Sequence, residues 1–419
     1  MRKSLVATVL TASVLVLAAC AMPADDPNFN GGAGGEVIDA SAAASAAADQ
    51  AAMTDALAAP TSIGVDAPLP AAPAAGASII SLTDGSEFEA VFETGLSEAA
   101  SALGWTVESV TVDPADPAAA GTAFDDAVAK KPAGIHITGE FADALAANLP
   151  AAETAGIPVV CTGCSGESTS GINTSIDGTE QNMAWGDVLA SYVIENQYEG
   201  EDAGVQYFSV LGGAVADFNL EFSTSLLNQC RNCSATESIV DPMMVDLADP
   251  AAVAAFVVGE MSTSLGAWAL LDTGALSGGV ADGLATDPML LSPVALIGRG
   301  AAAGDIEALK SLGGAAPAPS AAASASADAA AADEGAVAGR TPEQAAALQA
   351  WIGIPQPVMA WRVIDQFARL IGGGEPATGP LPSQLLTAAT VADAALDANG
   401  NYIGIADYQD QFKALWGVK

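Results

Sequence analysis

The chain has 419 residues, 12 of them basic and 50 acidic, with a formal charge of −38 and a mean hydropathy of +0.37. That charge excludes nucleic acid as a partner and acidic lipid as an electrostatic one, because no Lys/Arg cluster beyond the first three residues could displace counterions from phosphates. The hydropathy is carried by Ala, and no run of about 18 strongly apolar residues follows residue 20, so the body reads as soluble and as about two globular units plus tails.

The chain opens with basic Met1-Arg2-Lys3, continues with apolar Ser4 to Val16 and ends its leader at Leu17-Ala18-Ala19-Cys20. This is the pattern of an export signal, too short and wrongly flanked to span a membrane. The Leu-Ala-Ala-Cys end resembles the lipobox of bacterial lipoproteins, which implies that Cys20 is acylated, becomes the mature N-terminus and holds the protein at the membrane. The alternative is an ordinary secretory leader with a chance Cys. Residues 21–76 are rich in Ala, Gly, Pro, Ser and Asp, and they read as a disordered tether with transient helix at Asp39 to Leu57.

From Ala77 apolar runs alternate with helical patterns. Ser78 to Leu82 reads as a buried strand; Phe88, Val91, Phe92, Leu96, Ala99 and Leu103 then recur at helical spacing up to Gly104. Strands follow at Thr106 to Val112, Gly134 to Thr138 and Ile157 to Cys161, with helices at Ala118 to Lys130 and Phe141 to Ala155. The pattern then restarts. Helices are predicted at Gln181 to Asn196, Phe218 to Gln229, Pro250 to Ser264, Gly274 to Ala285 and Asp305 to Leu312, and strands at Val205 to Leu211, Thr236 to Val240, Ala267 to Leu271 and Val294 to Gly298. Residues 313–339, nearly all Ala, Gly, Pro and Ser, read as a low-complexity surface insertion, which loop entropy tolerates. A strand near Trp351 to Ile354 and a helix from Val358 to Ile371 follow. Alternation of this kind predicts an α/β fold of two doubly wound parallel-sheet lobes, with ligand groups at the carboxyl ends of the strands.

The segment from Thr341 to Pro376 and the ending YQDQFKALWGVK are similar to the closing part of type I periplasmic sugar-binding proteins, the ribose-binding-protein-like family that serves ABC importers, and to actinobacterial lipoprotein members of it. The resemblance spans Ala77 to Lys419 without the insertion. It implies two lobes joined by a three-strand hinge, crossing near Gly171-Ile172, Gln356-Pro357 and Pro382-Ser383. Lobe 1 would then be 77–172 plus 357–382, and lobe 2 would be 173–356 plus 383–419. Ligand is enclosed as the hinge closes.

The ligand candidates that follow are Thr83, Asp84, Phe88, Thr138, Glu140 and Thr162 in the first lobe, Asn219, Asp272 and Arg299 in the second, and Gln356 at the hinge. Carboxylates and amides pair with hydroxyls, and an aromatic face covers the C–H side of a sugar. Other readings stand beside these. Asp84 also suits a helix cap, Phe88 shares the spacing of core residues, and Asp272 suits a turn. Arg299 suits either a ligand oxygen or an ion pair with a nearby acid. Where the family carries an Asp-Arg pair after the fourth strand, this chain has Cys161-Thr162-Gly163-Cys164.

His136, the only histidine, reads as a core or hinge-facing imidazole; no Ser or Cys partner lies at motif spacing. Cys161/Cys164 and Cys230/Cys233 read as two local disulfides in an oxidising compartment, with a redox C-x-x-C as the other reading. One zinc could not reach both pairs, and no metal or cofactor is expected. Phosphate loops, HExxH and nucleophile elbows are absent from the sequence. The expectation is therefore an extracytoplasmic, lipid-anchored, monomeric solute-binding protein that delivers a small polar ligand, a sugar first, to an ABC permease. A hydrolase using Glu140 and Asp272 is one alternative, and a sensor for a membrane signalling partner is another.

Overall fold

The first sheet is built from β1 (Ser78–Thr83), β2 (Thr106–Thr111), β3 (Gly134–Thr138), β4 (Val159–Thr162) and β5 (Thr174–Ile176). All its pairings are parallel, in the order β2-β1-β3-β4-β5. β3 and β4 are buried at every residue and β1 at all but its first. Continuous apolar runs are what a strand covered on both faces requires. The computed structural model describes residues 50–85, 87–113, 116–164, 171–197, 204–210, 215–247, 249–264, 266–288, 290, 292–313 and 340–419. The leader with Cys20 and residues 314–339 of the insertion lie outside the described residues, as does the side chain of Phe88.

Crossover helices of this lobe are α2 (Glu87–Ala102), α3 (Pro117–Lys130), α4 (Gly139–Ala142) and α5 (Leu149–Ala155); a further helix, α1, covers residues 50–57. α3 starts where Asp116 accepts from the amides of Ala118 and Ala119, and it stops at Lys131, in left-handed conformation at φ 52°. The single helix expected from Phe141 to Ala155 is instead the pair α4 and α5. Pro150 lies in the first turn of α5, where its missing N–H costs nothing, so it starts a helix rather than continuing one.

The second sheet contains β6 (Gly204–Val210), β7 (Ser234–Val240), β8 (Trp268–Leu271), β9 (Ala295–Arg299), β10 (Ala350–Gly353) and β11 (Gln384–Thr387), in the order β11-β10-β9-β8-β6-β7 with only β11 antiparallel. Its helices are α6 (Thr179–Glu195), α7 (Ala216–Gln229), α8 (Pro250–Thr263), α9 (Val280–Thr286), α10 (Ala303–Ser311) and α11 (Pro342–Ala347). The helix expected from Gly274 to Ala285 is a 3-10 turn, Gly274–Leu276, followed by α9. Gly279 at φ +72° makes the break. Both sheets therefore share one winding, and the strand order reverses between β1 and β3 and again between β6 and β8. The crevice outside the strand ends at such a reversal is where doubly wound folds bind ligands.

α12 (Gln356–Ile371) returns to the first sheet and packs on α2, and α13 (Tyr408–Trp416) packs on α12. Trp361 stacks on Trp416 at 5.3 Å between centroids and meets Tyr408 edge-on at 5.8 Å. Gly134 is required here because a Cβ on it would lie 2.3 Å from the Phe367 ring. Residues 403–416 thus join the apolar core of the first lobe, not the second lobe to which 383–419 was assigned. The first passage between lobes comes at 177–178 rather than near 171–172, because β5 still pairs with β4.

The supposed tether needs a larger correction. Within its described part, Met53 and Ala56 of α1 are buried in a core cluster of the second lobe, and Ile63 in that of the first. Gln384 Nε2 donates to Leu57 O at 3.0 Å, Arg369 Nη2 to Ala67 O at 2.7 Å and Trp105 Nε1 to Ala74 O at 2.7 Å. Arg362 Nη2 donates to Ile63 O. Residues 50–76 are therefore a strap across both lobes. Composition hides it because side chains elsewhere in the chain hold its backbone carbonyls.

Candidate functional site

Among the described residues, one ion pair joins the carboxyl edges of the two sheets. Asp177 follows β5 at the carboxyl edge of the first sheet, Arg299 ends β9 at the carboxyl edge of the second, and Arg299 Nη2 donates to Asp177 Oδ2. Asp177 has φ 54°, a left-handed conformation that Asp tolerates better than most residues. Asn182 Nδ2, on α6, donates to Asp177 O at 2.7 Å and holds the kink. Of the two readings of Arg299, the structure shows the ion pair. Asp177 itself was not anticipated, although the Asp177-Gly178 dipeptide is a turn signal.

On the second lobe Asp272 directly follows β8 and is 1% exposed. Asn219 Nδ2, on α7, donates to its Oδ2 at 3.0 Å. Burial pushes the Asp272 carboxyl up to about 7, against the opposing pull of Asn219 and Arg299 and with a small upward push from Glu237. Asn219 and Asp272 line a cavity of about 340 Å³ together with Tyr207, Ser209 and Glu237, a volume at the lower end of the ligand-pocket range. A larger groove of about 710 Å³ runs along β2 and α3 and contains none of the candidates.

In the first lobe Thr83, at the end of β1, accepts from Gly85 N at 3.1 Å and so closes a turn. Thr138 ends β3 and is 9% exposed, with no partner for its hydroxyl. Glu140 lies exposed at the start of α4, where partial desolvation of its carboxyl and the charge of Asp84 raise it to about 7. Glu89, on α2, is raised to about 8 by burial first and then by Asp84, Glu93 and Glu140. Sequence spacing missed Glu89, since one acid on a helix carries no signal until strand ends bring others beside it.

Thr162 ends β4, and its hydroxyl lies 3.1 Å from His136 Nε2. Ser81 lies 2.8 Å from His136 Nδ1 and donates its proton to Glu93 Oε1 at 2.7 Å. Ser81 therefore accepts from Nδ1–H, and Nε2 accepts from Thr162. Burial holds the imidazole neutral, with its pKa lowered to about 3. His136 is thus a buried link of the core whose outer end fixes Thr162.

Gln356 begins α12, one turn of chain beyond β10, and is 8% exposed with Oε1 unpartnered. Asp177 Oδ1, Asn219 Oδ1, Asp272 Oδ1 and Arg299 Nε are also buried without partners. Cys161–Cys164 and Cys230–Cys233 are each bonded, with Cα separations of 6.0 and 5.3 Å. The first disulfide borders Thr162, and the second lies between α7 and β7. Among the described residues no cluster of His, Cys, Asp or Glu could hold a metal ion, and no helix is long and apolar enough to cross a membrane.

The profile of the periplasmic binding protein domain matches residues 77–221. A solved structure of GanP, a glucose-galactose binding protein from Geobacillus stearothermophilus, is 14% identical, with a TM-score of 0.55 over 75% of this chain and 98% of that one. An ABC transporter solute-binding protein from Agrobacterium vitis, bound with α-D-tagatopyranose, is 16% identical, with a TM-score of 0.57 over 78% and 99%. A Mycobacterium smegmatis protein in complex with β-D-fucofuranose is 11% identical, with a TM-score of 0.56 over 82% and 98%. The chain has the fold of type I periplasmic binding proteins. No curated protein sequence matches it. In this chain the strand-order reversals coincide with Thr83 and Thr138 in one lobe and with Asp272 in the other.

Proposed function

We propose that this chain is the extracytoplasmic solute-binding component of an ABC uptake system, anchored through an acylated Cys20, and that it takes a sugar or similar polar small molecule. One observation carries the reading: of sixteen buried polar atoms without partners among the described residues, six lie at or beside the carboxyl ends of both sheets and a passage between lobes, namely Thr138 Oγ1, Asp177 Oδ1, Asn219 Oδ1, Asp272 Oδ1, Arg299 Nε and Gln356 Oε1. Folded chains leave few such atoms, because each costs about 1–3 kcal/mol. A ligand with several hydroxyls satisfies them at once when the lobes close, and hydrogen bonds available only in the closed state favour closure. The solved structures of this fold described above, two of them in complex with sugars, support the same reading.

Thermal-shift screening of the chain against sugars, polyols, amino acids and nucleosides tests the reading, since a true ligand stabilises by mass action. Asp272→Ala weakens the hit by about 1–3 kcal/mol; unchanged affinity removes Asp272 from the site, and catalytic turnover of a hit overturns the reading. Cys20→Ala releases the protein from membranes, and retention of that variant overturns the anchor.

A further inference from the structure

The cavity of the second lobe has a donor–acceptor balance that a neutral sugar does not explain. Two carboxylates, Glu237 and Asp272, line it, and no Lys or Arg does. Its donors are already engaged. Asn219 Nδ2 donates to Asp272 at 3.0 Å, Ser209 Oγ to Glu237 at 2.6 Å and Ser223 Oγ to Leu220 O at 3.0 Å, and Tyr207 hydrogen-bonds to Glu237. Two of the lining residues keep a buried acceptor without a partner, Asp272 Oδ1 and Asn219 Oδ1, on residues 1% and 8% exposed. The neighbouring cation, Arg299, pairs with Asp177 through Nη2 and does not line the cavity, though its Nε is left without a partner. On the opposite lobe acids again lie together, Asp84 and Glu140 just past β1 and β3 and Glu89 on α2.

A hydroxyl donates once and must itself be donated to, which this cavity does poorly. An ammonium only donates, three times, and its charge offsets the Asp272 carboxylate, which burial leaves poorly solvated, with exposed Glu237 beside it. We propose that the solute is an amine-bearing polyol of the amino-sugar class, with its ammonium seated between Asp272 and Glu237 and its hydroxyls on the remaining strand-end groups. This rests on the solute-binding reading of the cleft and adds the charge of the ligand to it.

The test uses the full chain in calorimetric titrations with D-glucosamine, D-galactosamine and D-mannosamine, each beside its neutral parent sugar, at pH 7.5. At least one amine binds tenfold or more tightly than its parent, and that preference falls to near parity in Asp272→Asn. Glu237→Gln, on an exposed edge-strand residue, reduces the preference without threatening the fold. Neutral sugars binding as tightly as every amine would overturn the inference while leaving the solute-binding reading in place. Binding by neither class overturns the inference, and a preference that survives both substitutions removes the proposed seat.

Discussion

Two buried arginine–aspartate pairs in this molecule are finished differently. On α12, Asp365 accepts from Arg369 Nε at 2.8 Å and from Trp416 Nε1 at 2.9 Å, and Arg369 also donates to Ala67 O in the strap. Its partners are the C-terminal helix and the N-terminal strap, and neither carboxylate oxygen is left over. At the cleft, Arg299 and Asp177 pair just as directly, yet Asp177 Oδ1 and Arg299 Nε have nothing to bind. Burial is similar, with side chains at most 9% exposed in both pairs. The difference lies in closure of the network. A complete network fastens elements of the fold, whereas an incomplete one at strand ends keeps hydrogen-bonding capacity for something not part of the chain.

The largest expected effect attacks the complete pair. Asp365→Ala strands a buried guanidinium and costs about 3–5 kcal/mol in denaturant unfolding, with ligand affinity in the surviving folded fraction unchanged. Trp361→Ala, which removes the centre of the aromatic stack beneath the same helix, costs a similar amount, about 3–5 kcal/mol. If Asp365→Ala altered affinity as much as stability, the separation between the two pairs would fail.

Arg299→Gln breaks the open pair and should show the opposite split. Ligand affinity falls by about 1.5–3 kcal/mol, as for a lost hydrogen bond to a charged group, while the unfolding midpoint moves less than in Asp365→Ala. Isothermal titration and urea melts of both variants read the two quantities side by side.

The pH dependence of the ligand-free protein sharpens the comparison further. Asp272 titrates near 7 when folded and near 3.9 when unfolded, so between these values the folded chain holds a proton that the unfolded chain has released. Stability contributed by this group therefore declines as pH rises from about 4 to about 7, and Glu89 extends the decline toward about 8. Thermal melts across this range should show the slope, and Asp272→Asn should flatten it. A wild-type melting temperature that rises through the window contradicts burial as the cause of the raised carboxyl.

The smallest effect belongs to an ion pair of neither kind. Lys130 and Glu108 meet on the surface with side chains about half exposed, 51% and 54%. Lys130→Ala should change stability by no more than about 1 kcal/mol in the same melts.

Much of the fold was legible before any coordinates. Buried apolar runs and helical spacing located β1, α2, β3 and the return helix α12, because those segments meet the core through their own side chains. The split of the expected helix at 141–155 shows the limit. Its apolar content suits one helix, but Pro150 works only in a first turn. The positions of Thr138, Asp272 and Arg299 were legible for the same reason as the strands, since polar residues at or just after the end of a buried run sit at a sheet edge.

What the sequence determined by itself is therefore local: which stretches bury a face, where they stop, and which polar residues stand at those stops. Only the tertiary structure decided that Asp177 is the partner of Arg299, that Glu89 joins Asp84 and Glu140, and that residues 50–76 strap the two lobes together. These depend on groups far apart in the chain, and their energies come from a neighbour's charge or hydrogen bond rather than from the residue's own hydropathy. Spacing along one segment carries no trace of such partners.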